Sequence, residues 1–328
     1  MKILVTGGRG FVGTALSIKL RQLGHEVETL SRSASHIDDS QFRHHPVDLT
    51  EVLKHPQLFR NIDCIFHVAA KAGIDGKYDG YYAVNYLGTK NLLKVARRMG
   101  VRFFIYTSSP SVVFSKEPIV NGKEDLPYVS NNLSPYSSTK AMAEKEVLLS
   151  NDSSFSTLAL RPHLVWGEGD PHLLPKVINR HKVGKLRIVG EGINRVDLTH
   201  IDNVVHAHIT ALNALVSGSP VSGKSYFISQ NEPVKLWEWL NSLFDLLSLK
   251  PLDQKVSFSK AYATGALLEK LWKILFLKSE VPMTRFIACQ LAHDHWFSTR
   301  QANLDFGYEP ILSMEEALNK TIPWLKTI

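Results

Sequence analysis

The sequence predicts an α/β protein: a Rossmann-type doubly wound parallel sheet with a smaller C-terminal region. Three observations carry that expectation. The run Lys2-Ile3-Leu4-Val5-Thr6 passes straight into a glycine-rich turn and then into a helical pattern. Short apolar runs recur at 62–66 and 102–106, as expected for strands covered on both faces. After about Gly167 the pattern turns irregular. Residues 1–166 are therefore expected to form the sheet domain, with segments near 200–230 returning to it. Residues 167–328 are expected to supply mainly the second region.

The first strand leads into Gly7-Gly8-Arg9-Gly10-Phe11-Val12-Gly13. Strand, glycine turn and helix in that order are the context of a dinucleotide site. Gly7 can take the tight turn, Gly10 lets a pyrophosphate approach the backbone, and Gly13 lets the helix pack on the sheet. The N–H groups of the first helical turn, at Phe11 and Val12, then face the phosphates at the positive end of the helix dipole. The second strand, 25–30, ends in Ser31-Arg32-Ser33. An NAD site usually carries Asp or Glu there for the ribose hydroxyl, and a carboxylate would repel a 2′-phosphate. Ser31 beside a permanently cationic Arg32 can hold that phosphate. NADP is accordingly favoured over NAD, although a solvated surface arginine is the plain alternative.

Further on, Tyr136-Ser137-Ser138-Thr139-Lys140 opens a helix that continues to Lys145. Pro135 disfavours helix at Ser134, which helps the helix begin at the tyrosine. Residues four apart share a helix face, so Lys140 falls beside Tyr136. A free tyrosine has a pKa near about 10, too high for ready proton exchange at neutral pH. A nearby ammonium and a cationic nicotinamide are expected to lower it.

The G-x-x-G-x-x-G spacing, with Y-x-x-x-K after a Thr107-Ser108-Ser109 strand end, resembles the extended short-chain dehydrogenase/reductase superfamily. That resemblance implies that Tyr136, Lys140 and a serine work together on a carbonyl, with Ser109 the first choice and Ser108 the second. It also implies that Asp48-Leu49 contacts adenine and that Ala69 and Ala70 let a loop pass close to the nucleotide. Asn85 would sit on the helix behind the site, and Thr107 would line the cofactor. Pro162, in Arg161-Pro162-His163-Leu164-Val165-Trp166-Gly167, would close the nicotinamide pocket. His163 would either touch ligand or simply pack. Residues 1–166 would then be the NADP-binding domain and 167–328 mainly the substrate-binding region, and the family often forms homodimers.

Departures narrow the substrate. Nucleotide-sugar epimerases carry an arginine just before the aspartate of Asp197-Leu198-Thr199-His200, where this chain has Val196. Residues 194–203, 106–114 and 121–128 instead resemble the 3β-hydroxysteroid dehydrogenase branch. Within it, 161–174, 186–203, 267–271 and 292–297 are similar to bacterial reductases of 2-alkyl-3-oxoalkanoates. The expected activity is NADPH-dependent reduction of such a hydrophobic 3-oxo compound. A 3β-hydroxysteroid or sterol dehydrogenase, a sugar-nucleotide epimerase or dehydratase, and a non-catalytic NADP sensor are the alternatives; an intact Tyr136–Lys140 pair argues against the last.

Composition sets outer bounds. Of 328 residues, 44% are hydrophobic and 21% charged, ordinary values for a globular protein. The net charge of +7 comes from scattered lysines and arginines without interleaved aromatics, which argues against nucleic acid and toward anionic ligands or an anionic membrane surface. Cys64 and Cys289 lie far apart and lack ligand spacing, so neither a disulfide framework nor a metal site is expected. His293 and His295, two apart, would face different ways on a helix. The chain opens on its first strand, leaving no room for a signal peptide, and a cytoplasmic location is the default. The apolar stretch 271–277 is interrupted by Lys273 and is too short for a membrane span. Residues 262–278 place Leu267, Leu268, Leu271, Trp272, Leu275 and Phe276 at helical spacing, as a packed amphipathic helix, a lid or a peripheral membrane contact.

Overall fold

Alternation along short strands sets the layers of this protein. The computed structural model describes residues 1–32, 42–73, 76–129, 134–277, 279 and 281–328; Ser33 and Lys278 lie outside them. Strands β1 (Lys2–Thr6), β2 (Glu26–Ser31), β3 (Arg43–Pro46), β4 (Cys64–His67), β5 (Phe103–Thr107), β6 (Ser156–Pro162) and β7 (Ser225–Ile228) form one sheet. Its order is β7-β6-β5-β4-β1-β2-β3, parallel throughout. The winding direction reverses between β1 and β4, where a doubly wound sheet opens its crevice. This is the architecture expected from the sequence.

Odd and even residues of each strand feed opposite cores. Ile3, Val5, Cys64, Phe66, Ile105, Leu158 and Leu160 pack with Leu16 and Leu20 of α1 (Phe11–Gln22) on one face. Their neighbours Leu4, Ile65, Phe104, Tyr106 and Ala159 pack on the other face. There they meet Leu92, Val95 and Ala96 of α2 (Thr89–Arg98), and Ala143 and Val147 of α3 (Pro135–Leu149). The first face is completed by Val205, Ala211, Leu212 and Leu215 of α4 (Ile201–Val216). A separate core around Trp166, Trp237, Trp239, Leu243 and Phe244 organises the C-terminal region.

The glycine turn is the tightest junction. Gly7 takes a left-handed φ of 70°, and a Cβ there would lie 2.8 Å from the Ala69 backbone. A Cβ on Gly13 would stand 2.2 Å from the Gly7 carbonyl oxygen, so α1 is pressed against the turn. Gly13→Ala should therefore destabilise the fold by about 1–3 kcal/mol through overpacking. Urea denaturation measures this, and an unchanged midpoint would contradict the close approach.

Candidate active site

The carboxyl edge of the sheet carries a run of hydrogen bonds between strands. Thr6 Oγ1 meets His67 Nδ1 at 2.7 Å, and Ala69 N donates to Thr6 Oγ1 at 3.2 Å. On the other side of the ring, His67 Nε2 meets Thr89 Oγ1 at 2.8 Å, and Thr89 Oγ1 donates to the Asn85 carbonyl at 2.6 Å. Burial lowers the His67 pKa to about 3, with the Lys140 charge acting the same way. The ring is thus neutral: Nδ1 accepts from Thr6 and Nε2 donates to Thr89. This chain joins the glycine turn to the Asn85 segment. That segment, Tyr82–Gly88, is π-helical, a local departure often found at functional sites. Asn85 Oδ1 accepts from Lys71 N at 2.7 Å, and its Nδ2 donates to Thr139 Oγ1 at 3.2 Å.

Helix α3 begins at the residues that the sequence marks. Ser134 is its N-cap, accepting from Ser137 N at 3.2 Å, and Pro135 occupies the first helical position. Lys140 is 1% exposed; its Nζ donates to the Thr107 carbonyl at 2.6 Å and lies 4.0 Å from the centre of the Tyr106 ring. Desolvation lowers its pKa to about 7, while the Glu144 charge acts in the opposite sense. Tyr136 is held above its ordinary value by burial, and a hydrogen bond with Ser109 pulls the other way. The sequence expectation of a lowered tyrosine pKa does not hold for the protein alone. The Lys140 ammonium is directed at Thr107 and Tyr106, so burial dominates at the phenol.

The structure brings Ser109 to Tyr136. Ser109 Oγ also accepts from Ser111 N at 3.2 Å, capping the turn that follows β5. Ser108 is buried; its N–H donates to the Leu160 carbonyl at 2.6 Å and its Oγ has no partner among the described residues. Thr107 is held by His208, Oγ1 to Nε2 at 2.8 Å. Four residues beyond Lys140, Glu144 is fully buried and accepts from Arg161 Nη2 at 2.5 Å and from Tyr128 Oη at 2.8 Å.

A dinucleotide fits the opposite half of the crevice. Gly10 caps α1 without any side-chain hydrogen bond, leaving the first-turn N–H groups at Phe11, Val12 and Gly13 without a capping side chain. A Cβ at Gly10 would meet only the Gly7 oxygen, at 3.2 Å, so this surface is bare backbone. Ser31 Oγ and His44 Nε2 are 3.5 Å apart at the end of β2. Arg32 is mostly exposed, with Nε 3.9 Å from Asp48 Oδ2. Asp48 also caps the next turn by accepting from Thr50 N at 2.8 Å. Leu49 is buried beneath Gly88. Ala69 borders Gly7, and Ala70 follows it, partly buried.

Pro162 and His163 are buried where β6 ends. Leu164 next to them adopts φ 41°, left-handed backbone for a branched residue, a conformation that persists only where the surroundings enforce it. Here Thr199 supplies the clamp: its Oγ1 donates to the His163 carbonyl at 2.7 Å and its N–H to Leu164 at 3.3 Å. His295 Nε2 faces the Gln290 carbonyl at 2.7 Å, so it carries the proton. His295 Nδ1 then accepts from His163 Nε2 at 3.2 Å. His163 Nδ1 is left as a buried acceptor without a protein partner among the described residues. Burial lowers both rings, His295 to about 4, so both are neutral. Sequence reasoning missed Glu144, Arg161, His208 and His295 as parts of this site. Their partners lie 17 to 132 residues away, and no local spacing signals them.

The fold and this constellation define an extended short-chain dehydrogenase/reductase. The chain belongs to the 3-beta hydroxysteroid dehydrogenase/isomerase family, whose model matches residues 4–258. It is 43% identical to the 2-alkyl-3-oxoalkanoate reductase of Stenotrophomonas maltophilia (strain K279a), over 98% of each chain. It is 31% identical to the sterol-4-alpha-carboxylate 3-dehydrogenase, decarboxylating, of Mus musculus, over 98% of this chain and 90% of that one. Among solved structures it is similar to MoeE5 in complex with UDP-glucuronic acid and NAD. That likeness has a TM-score of 0.75 and 25% identity and covers 100% of this chain and 99% of the other.

The buried Lys140 has a measurable signature. An unfolded lysine keeps its proton to about pH 10.4, whereas the folded one loses it near 7. Between those values the unfolded state binds more protons, so this group's contribution to stability rises with pH. Relative to Lys140→Met, the wild type should gain up to about 1.4 kcal/mol per pH unit between about pH 7 and 10. Urea titrations of both proteins across that range test it; a pH-independent difference would mean that Lys140 ionises as an ordinary lysine.

Proposed function

We propose that this protein is an NADPH-dependent reductase that converts a hydrophobic 3-oxo substrate, a 2-alkyl-3-oxoalkanoate, to the 3-hydroxy compound. The observation that carries the reading is the pairing of the Tyr136 and Ser109 hydroxyls beside a buried Lys140 at the carboxyl edge of the sheet. Identity of 43% to a reductase named for that substrate supports the choice of substrate.

A reduced nicotinamide, when bound, would supply hydride for the C3 carbonyl carbon. Tyr136 gives its phenolic proton to the carbonyl oxygen as the C–O double bond opens, and the Ser109 hydroxyl donates to the same oxygen. A phenol held above its ordinary value stays protonated at neutral pH, which suits a proton donor and therefore the reductive direction. Lys140, with a pKa lowered to about 7, can return a proton to the phenolate.

The N–H groups of Phe11, Val12 and Gly13 would hold the pyrophosphate, with Gly7 and Gly10 giving it room. Ser31 and Arg32 would hold a 2′-phosphate, while Asp48 and Leu49 would border the adenine. Ala69, Ala70, Asn85 and Thr107 would line the path to the nicotinamide, which Pro162 and His163 would close. The unpartnered His163 Nδ1 would accept from a carboxamide or substrate donor. MoeE5 is seen with NAD; the preference for NADP rests on Arg32 and on the lack of a carboxylate at Ser31. We assign residues 1–166, with segments near 200–230, to cofactor binding and the remainder mainly to substrate. Copies would pair through helices bordering the site, in the cytoplasm.

A second reading, a sterol or 3β-hydroxysteroid dehydrogenase, draws on the family model and on the 31% identity to the mouse enzyme. Nicotinamide absorbance, followed with each substrate and with NADPH or NADH, separates the two. Tyr136→Phe should lower kcat/KM for the oxoalkanoate by about 10²–10⁴-fold. Arg32→Ala should raise the KM for NADPH about tenfold or more and leave that for NADH nearly unchanged. Turnover with NADH alone would overturn the Arg32 assignment. Oxidation of a sterol without oxoalkanoate reduction would keep the chemistry and replace the substrate.

A further inference from the structure

Helix α5 (Phe258–Ile274) is apolar on two opposite sides, and only one of them is used inside the protein. Its packing side carries Ala261 and Gly265, both buried. A Cβ on Gly265 would lie 2.7 Å from the Thr284 backbone, so the helix rests directly on the chain entering α6 (Arg285–Ala292). The Arg285–Glu269 ion pair, Nη2 to Oε2 at 2.6 Å, fastens the two.

The opposite side presents Leu267, Leu271 and Ile274 to solvent, four and three residues apart and hence in one stripe. Leu275, Phe276 and Leu277 extend it past the helix end, with Phe276 86% exposed. These six large side chains occupy six of the eleven positions from 267 to 277 and are all exposed, a denser apolar cluster than scattered surface leucines make.

The way the helix ends adds a second, independent observation. Leu277 N donates to the Trp272 carbonyl at 3.1 Å across a left-handed Phe276, φ 50°. That turn ordinarily takes glycine at this position. Here it takes a bulky aromatic, in a conformation that costs energy, and holds the ring out in solvent. A strained residue left this exposed among the described residues points to an external contact.

The flanking charge indicates what that contact is. Lys270 and Lys273 stand beside the stripe, both exposed, and neither forms an ion pair with a described residue. Aliphatic and aromatic side chains bordered by free lysines suit an anionic lipid surface, with the apolar tip in the acyl boundary and the ammonium groups among the headgroups. Among the described residues no helix is long and apolar enough to cross a membrane, so the contact is peripheral. We propose that the exposed stripe Leu267–Leu271–Ile274 and the tip Leu275–Phe276–Leu277 dock this protein on an anionic bilayer. Phe286 of α6, the helix on which α5 rests, packs against Phe114, five residues after Ser109, at 4.6 Å between ring centres. The docking does not depend on the substrate reading.

Flotation of the full chain with phosphatidylcholine vesicles, with and without about 30 mol % phosphatidylglycerol, tests this without any turnover. The wild type should float with the anionic vesicles and be released by salt. Lys270→Glu/Lys273→Glu should abolish the preference for phosphatidylglycerol. Phe276→Gly is the discriminating variant: it relieves the left-handed strain and should raise the thermal midpoint, while lowering vesicle partitioning about tenfold. A wild type that does not bind vesicles, or a Phe276→Gly protein that binds them equally, would overturn the proposal. So would a wild-type dimer in sedimentation that Phe276→Asp converts to monomer, because the face would then be an interface between copies.

Discussion

A lysine ammonium buried at the carboxyl edge of a parallel sheet is the constraint on which this structure turns. Removing such a charge from water is expensive unless its surroundings compensate. Lys140 has the Thr107 carbonyl at 2.6 Å and the Tyr106 ring at 4.0 Å, and one helical turn on stands the carboxylate of Glu144. Glu144 in turn needs Arg161 and Tyr128, because an unpaired buried carboxylate would be as costly as an unpaired lysine. Removing one partner of such a pair typically costs about 3–5 kcal/mol. The network therefore pins α3 to β6 and leaves little freedom in where Tyr136 and Ser109 meet.

Around the lysine, the buried histidines are polar but uncharged. His67, His163, His208 and His295 are all buried, and desolvation lowers each pKa well below the ordinary histidine range. Neutral imidazoles have one donor and one acceptor, so each can join two groups that lie on different segments. His67 links the glycine turn to Asn85, His208 links β5 to α4, and His295 links the C-terminal region to the end of β6. These links align elements far apart in the chain without adding charge near the lysine. Of these four rings, only His163 has a nitrogen, Nδ1, without a partner among the described residues.

Much of this was legible before any coordinates. Continuous apolar strands, the Gly7-Gly10-Gly13 spacing and the Tyr136–Lys140 interval are local patterns, and local patterns follow from helix and strand periodicity. Pro135 marked the start of α3 to within a residue. Less legible was the protonation behaviour of the site. A four-residue interval puts two side chains on one face but does not say where the ammonium points, and burial at the phenol then raised the Tyr136 pKa instead of lowering it. Ser109 was the first choice from the sequence and Ser108 the second; both follow the same strand, and it is the Ser109 hydroxyl that hydrogen-bonds Tyr136, while Ser108 Oγ has no partner among the described residues.

The sequence by itself determined the doubly wound sheet, the bare backbone cradle at the start of α1 and the family to which the chain belongs. Each depends on residue types at short, fixed intervals. Tertiary structure alone decided the partners of Lys140, the pairing of Glu144 with Arg161, the contact of His163 with His295 and the outward turn of Leu267, Leu271 and Ile274. Those features depend on which side of an element meets another across tens or hundreds of residues. Periodicity shows that α5 is amphipathic, and only packing against α6 determines that Leu267, Leu271 and Ile274 are left in solvent.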